Sequence, residues 1–88
     1  MLEKDIERLF CARVEALGGM ALKFTSPQRR NVPDRLVLLP GGVAAFVELK
    51  APGKKPTQGQ LREHERLRAL GFRVDVIDNV DDAKGWLP

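Results

Sequence analysis

The stretch V-P-D-R-L-V-L-L-P-G-G-V-A-A-F-V-E-L-K, residues 32–50, decides the fold of this 88-residue chain. It contains two apolar runs joined by the linker Pro-Gly-Gly at residues 40–42, which is typical of a β-hairpin turn. If these three residues form the loop, the residue numbers of each cross-strand pair add up to 82. The sequence therefore predicts that Asp34 faces Glu48 across the hairpin.

This pairing brings two like charges together. Residues directly opposite each other on antiparallel strands hold their Cβ atoms roughly 4.5–5.5 Å apart, and like charges there are destabilising. Lys50 shares the face of Glu48, because side chains alternate along a strand. A divalent cation would neutralise the two acids, and Mg²⁺ prefers such carboxylate oxygens. The pattern favours a metal site for phosphodiester cleavage, in which Lys50 positions water or stabilises charge on the phosphate.

A purely structural interpretation of the same residues stays open. In it, Glu48 and Lys50 form a surface salt bridge, and Asp34 enters a turn after Pro33. The E-x-K spacing alone favours this alternative, whereas the Pro-Asp pair at hairpin register favours the metal site.

Composition limits the possible classes of protein. Cys11 and His64 are the only cysteine and the only histidine, which excludes an internal disulfide and a cysteine or histidine metal cluster. No apolar run approaches the ~20 residues of a membrane span, and the N-terminus is acidic and amphipathic. We therefore expect a single domain, residues 1–88, in the cytoplasm, with no membrane association and no organic cofactor.

Charge is distributed unevenly along the chain. The net charge is +3, and acidic residues gather near both ends. Basic residues in the middle of the chain favour a polyanionic partner on one side of the molecule, although a solvated helix face explains the charges equally well. The residues predicted to hold nucleic-acid phosphates are Lys23, Arg29, Arg30, Arg35, Lys54, Lys55 and Arg62.

Periodicity predicts the order α-β-β-β-α-β-α, with a mixed sheet whose two faces are covered by helices. On the second helix, which begins after Thr57, the expected inward stripe is Leu61, His64, Leu67 and Leu70, and the expected outward residues are Arg62, Glu63, Arg66 and Arg68. A short last helix is expected to be capped by Asp81 or Asp82 and to carry Trp86.

Two further residues are candidates for the acidic patch. Glu7 is adjacent in angle to the apolar stripe of the first helix and is expected to reach inward, although an acid favoured by the helix dipole is the alternative for both Glu7 and Glu3. Gln60 lies in the first turn of the second helix, from which it reaches either the sheet patch or a phosphate. A solvated surface residue is the alternative for Gln60.

Pro33-Asp34 followed by Glu48-Leu49-Lys50 resembles the PD-(D/E)xK signature of the restriction-endonuclease-like nucleases, whose core order is α-β-β-β-α-β. The whole chain resembles the small standalone VRR-NUC domain proteins of phages and bacteria. The matching segments are G-G-M-A-L-K-F, V-P-D-R-L-V-L-L-P-G-G and F-V-E-L-K-A-P-G-K-K-P-T, followed by Gln60 and His64-Glu65, and together they span nearly all 88 residues.

The resemblance implies a role for each matching residue. Asp34, Glu48 and the backbone carbonyl of Leu49 would hold Mg²⁺ or Mn²⁺, and Lys50 would be the catalytic lysine. Glu7 would complete the metal site from the first helix, with Glu3 as its competitor. Gln60 matches the glutamine that follows the E-x-K segment in these enzymes.

The function implied is that of a metal-dependent DNA endonuclease that selects branched DNA, similar to Holliday-junction resolvases. These enzymes act as homodimers, which suggests a dimer through the first helix or an apolar edge near Phe46 and Trp86. A phage-encoded protein of this kind would act in the cytoplasm of the bacterial host. A non-catalytic nucleic-acid-binding module with the same fold is the alternative, and a small phage assembly protein indifferent to DNA is a second one.

Overall fold

The structure is a computed structural model that describes residues 1–88. Four strands and three helices alternate in the predicted order α-β-β-β-α-β-α, which confirms the predicted fold class. None of the helices combines the length and the apolar character needed to cross a bilayer. The elements are α1 (Glu3–Ala16), β1 (Met20–Lys23), β2 (Arg35–Leu39), β3 (Val43–Leu49), α2 (Gln58–Ala69), β4 (Arg73–Ile77) and α3 (Val80–Lys84).

The strands form one mixed sheet in the order β1-β2-β3-β4. The β2–β3 hairpin is antiparallel, and its pairs run from Leu39 opposite Val43 to Arg35 opposite Val47, which is the predicted register. Strand β4 pairs with β3 in parallel because α2 crosses over between them. The hairpin therefore occupies the centre of the molecule, with its open end beside α2.

One face of the sheet carries the hydrophobic core. Helix α1 places Ile6, Phe10 and Val14 against it, all fully buried, and the spacing of these residues is that of one helical face. Trp86, just after α3, packs edge to face on Phe10 with 5.4 Å between the ring centroids. Together α1 and α3 cover this face.

The opposite face is covered only in part. Helix α2 packs over β3 and β4, and the side chains of Met20, Leu22 and Leu38 on β1 and β2 remain 37–55% exposed. The prediction that helices cover both faces is wrong for this half of the sheet. A helix is about 10 Å wide and strands are about 4.8 Å apart, so a single helix covers about two strands.

The inward face of α2 also differs from the prediction. His64 is buried and Leu67 is half-buried, as expected, but Leu61 and Leu70 are exposed and Glu63 is only 5% exposed. The helix is rotated relative to the predicted stripe because its partners are polar. It packs on Glu48 of the sheet and on the loop before β2, rather than on an apolar surface.

The last helix is capped differently from the prediction. Its N-cap is Asn79, whose side-chain oxygen accepts a hydrogen bond from the backbone N–H of Asp82 at 2.8 Å. Asp82 lies within the first turn, where an acid is favoured by the helix dipole. Trp86 is only 6% exposed, so it belongs to the core and is not available as a dimer contact beside Phe46.

Candidate active site

Asp34 and Glu48 meet at the open end of the hairpin. Arg35 opposite Val47 is the last pair of the ladder, and Asp34 and Glu48 are the next residues outward. Asp34 lies close enough to Glu48 to raise the pKa of the Glu48 carboxyl group. Asp34 Oδ2 also accepts a hydrogen bond from the backbone N–H of Leu49 at 2.9 Å, which fixes its orientation.

Glu48 is an unusual carboxyl group because it is only 1% exposed. Burial raises its pKa to about 8, and the neighbouring carboxyl group of Asp34 acts in the same direction. The ammonium group of Lys50 opposes this rise, whereas the charge of Glu3 adds to it. Glu48 therefore holds a proton near neutral pH, in a place where a hard cation would replace that proton.

Lys50 lies directly after β3, where its backbone N–H donates to the carbonyl of Ile77 at 2.9 Å. Its ammonium group forms no hydrogen bond or ion pair within the chain, although its charge acts on Glu48. The alternative of a surface salt bridge between Glu48 and Lys50 is wrong, because Glu48 is buried and its carboxyl group contacts the imidazole ring of His64 instead.

Two side chains of α2 hold Glu48. The Nε2 atom of His64 lies 3.2 Å from Glu48 Oε1, and the amide of Gln60 donates to Glu48 Oε2 at 3.5 Å. Gln60 is fixed in turn by its Oε1 atom, which accepts from the backbone N–H of Thr57 at 2.9 Å. The helix N-terminus and the sheet are joined through this one carboxyl group.

His64 is fully buried, and its Nδ1 atom has no hydrogen-bond partner. Burial lowers its pKa, and the positive charges of Arg68 and Lys50 lower it further, so the ring is neutral at neutral pH. A proton on Nδ1 would be a buried donor without an acceptor, which is costly. The proton therefore belongs on Nε2, from which the ring donates to Glu48.

The acids of α1 approach the pair from the other face of the sheet. Glu7 lines a cavity of about 220 Å³ together with Asp34, but its carboxylate is bound to Arg35 at 2.8 Å. Glu3 is close enough for its charge to act on Glu48. No three acidic, histidine or cysteine side chains are gathered tightly enough to enclose a cation by themselves.

The loop between β1 and β2 is attached to α2 by an ion pair. Arg29 donates from Nε and from its terminal nitrogen to the two oxygens of Glu63, at 2.6 and 2.9 Å. This bidentate bond compensates for the burial of Glu63 and lowers its pKa. Close contact between the loop and the helix is possible because a Cβ atom at Gly59 would lie 2.6 Å from Asn31 Nδ2.

The predicted phosphate contacts fall into two groups. Arg35 is used inside the protein, where its guanidinium donates to Glu7 and to the carbonyl of Ala21, and its side chain is only 11% exposed. Arg29 is tied to Glu63 but remains half-exposed. The other five are exposed, and only Lys55 has a partner, Asp78 at 3.7 Å: they are Lys23, Arg30, Lys54, Lys55 and Arg62.

Sequence reasoning missed two residues of this region. Helical periodicity places His64 in an apolar stripe and Glu63 on the solvent side of α2. The position of His64 one turn after Gln60 was the available signal, because residues four apart share a helix face. Nothing local in the sequence marks Glu63, since its partner Arg29 is 34 residues away.

An acidic pair at the open end of a central hairpin, followed by a lysine and backed by a crossover helix, defines this chain as a nuclease-type α/β domain. No family model matches the sequence. The chain is 58% identical over 79 residues to "Putative nuclease p44" of Acyrthosiphon pisum secondary endosymbiont phage 1, covering 90% of this chain and 85% of that protein.

A solved structure described as "VRR_NUC domain" superposes on the chain with a TM-score of 0.86 and 41% sequence identity. The match covers 92% of this chain and 88% of the solved one. The chain belongs to the VRR-NUC family of nuclease domains.

Proposed function

We propose that this protein is a Mg²⁺- or Mn²⁺-dependent DNA endonuclease that acts on branched DNA. The observation that carries the proposal is the placing of Asp34 beside the buried Glu48 at the open end of the hairpin, where burial and Asp34 raise the pKa of Glu48 to about 8. Two acids held in contact, one of them buried, are unfavourable unless something positive binds them. Membership of a nuclease family supports the same conclusion.

The donor set fits a hard divalent cation. Asp34, Glu48 and the backbone carbonyl of Leu49 supply oxygen atoms, which Mg²⁺ and Mn²⁺ prefer, and an acid of α1 would complete the set. When bound, the cation supplies Lewis-acid stabilisation of the phosphate and makes water more acidic. Glu7 is our candidate for the metal ligand on α1 because it lines a cavity with Asp34. To bind the cation, its carboxylate would have to leave its ion pair with Arg35.

The protein's own side chains have separate roles in the reaction. Lys50 orients the attacking water and stabilises the negative charge that develops on the phosphate. Water attacks the phosphorus atom and gives up a proton to solvent, the bond to the 3′-oxygen breaks, and that oxygen takes up a proton from solvent. The products carry a 5′-phosphate and a 3′-hydroxyl. Gln60 and His64 do not touch the substrate in this scheme; they are positioning residues that hold the carboxylate of Glu48.

DNA binding would depend on contacts with the phosphate backbone. Lys23 lines the cavity that contains Asp34, and phosphate contacts position a protein without reading sequence. Affinity should therefore fall steeply with salt. Because no helix is presented as a base-reading element, we propose that DNA shape determines the choice of substrate. The relative p44 is a phage protein, and we place the action of this chain in the cytoplasm of a bacterial host.

We propose that the enzyme acts as a homodimer through the open half of the sheet. Met20, Leu22 and Leu38 are exposed there and carry no charge, so two identical patches can meet without repulsion across a two-fold axis. Two symmetric cuts in a four-way junction require two active sites, which a second copy supplies. Leu38→Glu should yield a monomer in sedimentation, whereas a wild-type monomer would overturn this arrangement.

The central experiment is cleavage of a labelled four-way DNA junction by the purified chain in Mg²⁺, with EDTA as the first control. We expect nicked products with 5′-phosphates in Mg²⁺ only. Asp34→Asn, which keeps the size and one acceptor oxygen of the side chain, is the second control and should be inactive. Junction binding without cleavage by the wild type would support the non-catalytic module instead.

A further inference from the structure

Two neighbouring cavities flank the ion pair that joins the β1–β2 loop to α2. The first, here the base pocket, has a volume of about 360 Å³ and an apolar lining from Phe24, Val32, Leu67 and Leu70. The second, here the arginine pocket, has a volume of about 210 Å³ and no apolar lining residue. The two share a wall, which suggests a single ligand with one apolar and one anionic part.

The arginine pocket has the charge for a phosphate. Arg29, Arg30, Arg62 and Arg66 surround one carboxylate, that of Glu63, which leaves an excess of positive charge. Arg30 and Arg62 form no hydrogen bond or ion pair within the chain, whereas Arg29 and Arg66 are held by Glu63. Guanidinium groups fixed in this way are well suited to phosphate oxygens.

The base pocket has the size and chemistry for an aromatic ring. Its volume falls within the range of about 300–1,000 Å³ that small-molecule sites occupy. Nucleobases stack on aromatic side chains and on guanidinium planes, and Phe24 and Arg29 both line this cavity. A base inside a duplex is stacked and cannot enter, so only an unpaired or flipped base fits.

The base pocket also adjoins the candidate active site. Phe24 lines both the base pocket and the cavity that contains Asp34, and its backbone N–H donates to the carbonyl of Asp34 at 2.9 Å. A nucleotide held in the two pockets would therefore lie beside the acidic pair.

We propose that the base pocket and the arginine pocket together bind one unpaired nucleotide of the DNA substrate, next to the phosphate that is cleaved. The inference rests on the proposed function in taking DNA as the substrate, and it gives a physical reason for selecting branched DNA. Junctions and bulges present unpaired nucleotides, and a regular duplex does not.

The test uses two DNA duplexes that differ only in whether a single 2-aminopurine is paired or bulged out. Binding is measured in EDTA, which prevents metal-dependent cleavage, by the anisotropy of an end label and by 2-aminopurine emission. We expect roughly tenfold tighter binding of the bulged duplex, the effect of one stacked base, with a change of emission on binding.

Ala69→Glu places a carboxylate at the exposed edge of the base pocket without touching the core. It should remove the preference for the bulged duplex. Ala12→Glu, an exposed position on α1 outside every cavity, makes the same change of charge and should keep the preference. Arg62→Gln should weaken binding of the bulged duplex more than Arg8→Gln, a change at an exposed position of α1, does.

Equal binding of the two duplexes, or a preference that survives Ala69→Glu, would overturn the nucleotide site. Junction cleavage in Mg²⁺ is measured on the same preparations, so the proposed function is judged separately. If the protein binds and cleaves DNA but binds the two duplexes equally, only the nucleotide site is contradicted. If it neither binds nor cleaves DNA, both the nucleotide site and the proposed function are contradicted.

Discussion

The Nε2 atom of His64 donates to the buried carboxyl group of Glu48 across 3.2 Å, inside the contact between α2 and the sheet. Partners of this kind commonly change metal affinity by about 10–100-fold when they are removed. We therefore expect His64→Leu to weaken Mn²⁺ binding by that factor in calorimetric titration. His64→Gln retains a donor near the position of Nε2 and should bind Mn²⁺ nearly as well as the wild type.

Both His64 variants are then compared in junction cleavage over a range of Mn²⁺ concentrations. A positioning role predicts that excess Mn²⁺ restores the rate of His64→Leu in large part. Equal Mn²⁺ affinity of the two variants and the wild type would contradict that role, whatever happens to the rate.

Asp34 has a structural contact that affects the choice of substitution. Because its Oδ2 atom accepts from the Leu49 N–H at 2.9 Å, alanine would leave that amide without its partner. Asp34→Asn keeps an acceptor and removes the charge, so we expect a loss of cleavage of at least about a hundredfold with the melting temperature close to that of the wild type. Unchanged cleavage by Asp34→Asn would remove this residue from the active site.

The raised pKa of Glu48 predicts a pH dependence of stability. The folded protein holds the proton up to about pH 8, whereas the unfolded chain releases it near pH 4.5. In EDTA, the free energy of unfolding should therefore fall as the pH rises through this window, by up to about 1.4 kcal/mol per pH unit from this group. Urea unfolding at several pH values measures the slope.

The same linkage makes binding of Mg²⁺ tighter as the pH rises towards 8, because the cation and the proton compete for Glu48. Glu48→Gln is the matched variant for both measurements. It should flatten the pH dependence in EDTA and abolish stabilisation by Mg²⁺. An unchanged slope in Glu48→Gln would assign the pH dependence to other groups.

The ion pair between Arg29 and Glu63 should stabilise the loop that leads into Asp34. A double-mutant cycle with Arg29→Met and Glu63→Gln should give a larger coupling energy than an exposed pair does, because the carboxylate of Glu63 is buried. The exposed pair of Arg68 and Glu65 should give less than about 0.5 kcal/mol. Similar coupling energies for the two pairs would show that burial of Glu63 does not strengthen its ion pair with Arg29.

Gly19, between α1 and β1, is required for close packing. A Cβ atom there would lie 2.5 Å from the carbonyl oxygen of Leu38 and 2.8 Å from the side chain of Leu39. Gly19→Ala should lower the free energy of unfolding by about 2 kcal/mol or more, a shift of roughly 10 °C in melting temperature. At Gly41 an added Cβ atom meets nothing, so any cost of Gly41→Ala comes from its φ of +84° and not from packing.

The hairpin could be predicted because its information is local. The turn residues 40–42 set the register, and the register alone brings Asp34 and Glu48 to the same place. Similarly, the spacing of Ile6, Phe10 and Val14 matches one face of a helix, and these residues are the buried ones.

The inward face of α2 could not be predicted in the same way. Helical periodicity assumes that a helix packs on an apolar surface, but α2 packs on a carboxyl group of β3 and on an arginine of a distant loop. Glu63 is buried because Arg29 neutralises it, and Leu61 and Leu70 are exposed because the helix is turned towards these polar partners. Such pairings depend on the folded arrangement of segments that are far apart in the sequence.

The turn at residues 40–42 is at the far end of the hairpin from the acidic pair, and its glycines point into open space. A loop of another length that closes the same two strands in the same pairing would leave the acids together, so the site itself does not fix the number of residues between them. An insertion within either strand, by contrast, would send one acid to the opposite face of the sheet. Searches for similar sites should fix the distance from each acid to its own strand and leave the gap between the acids unconstrained.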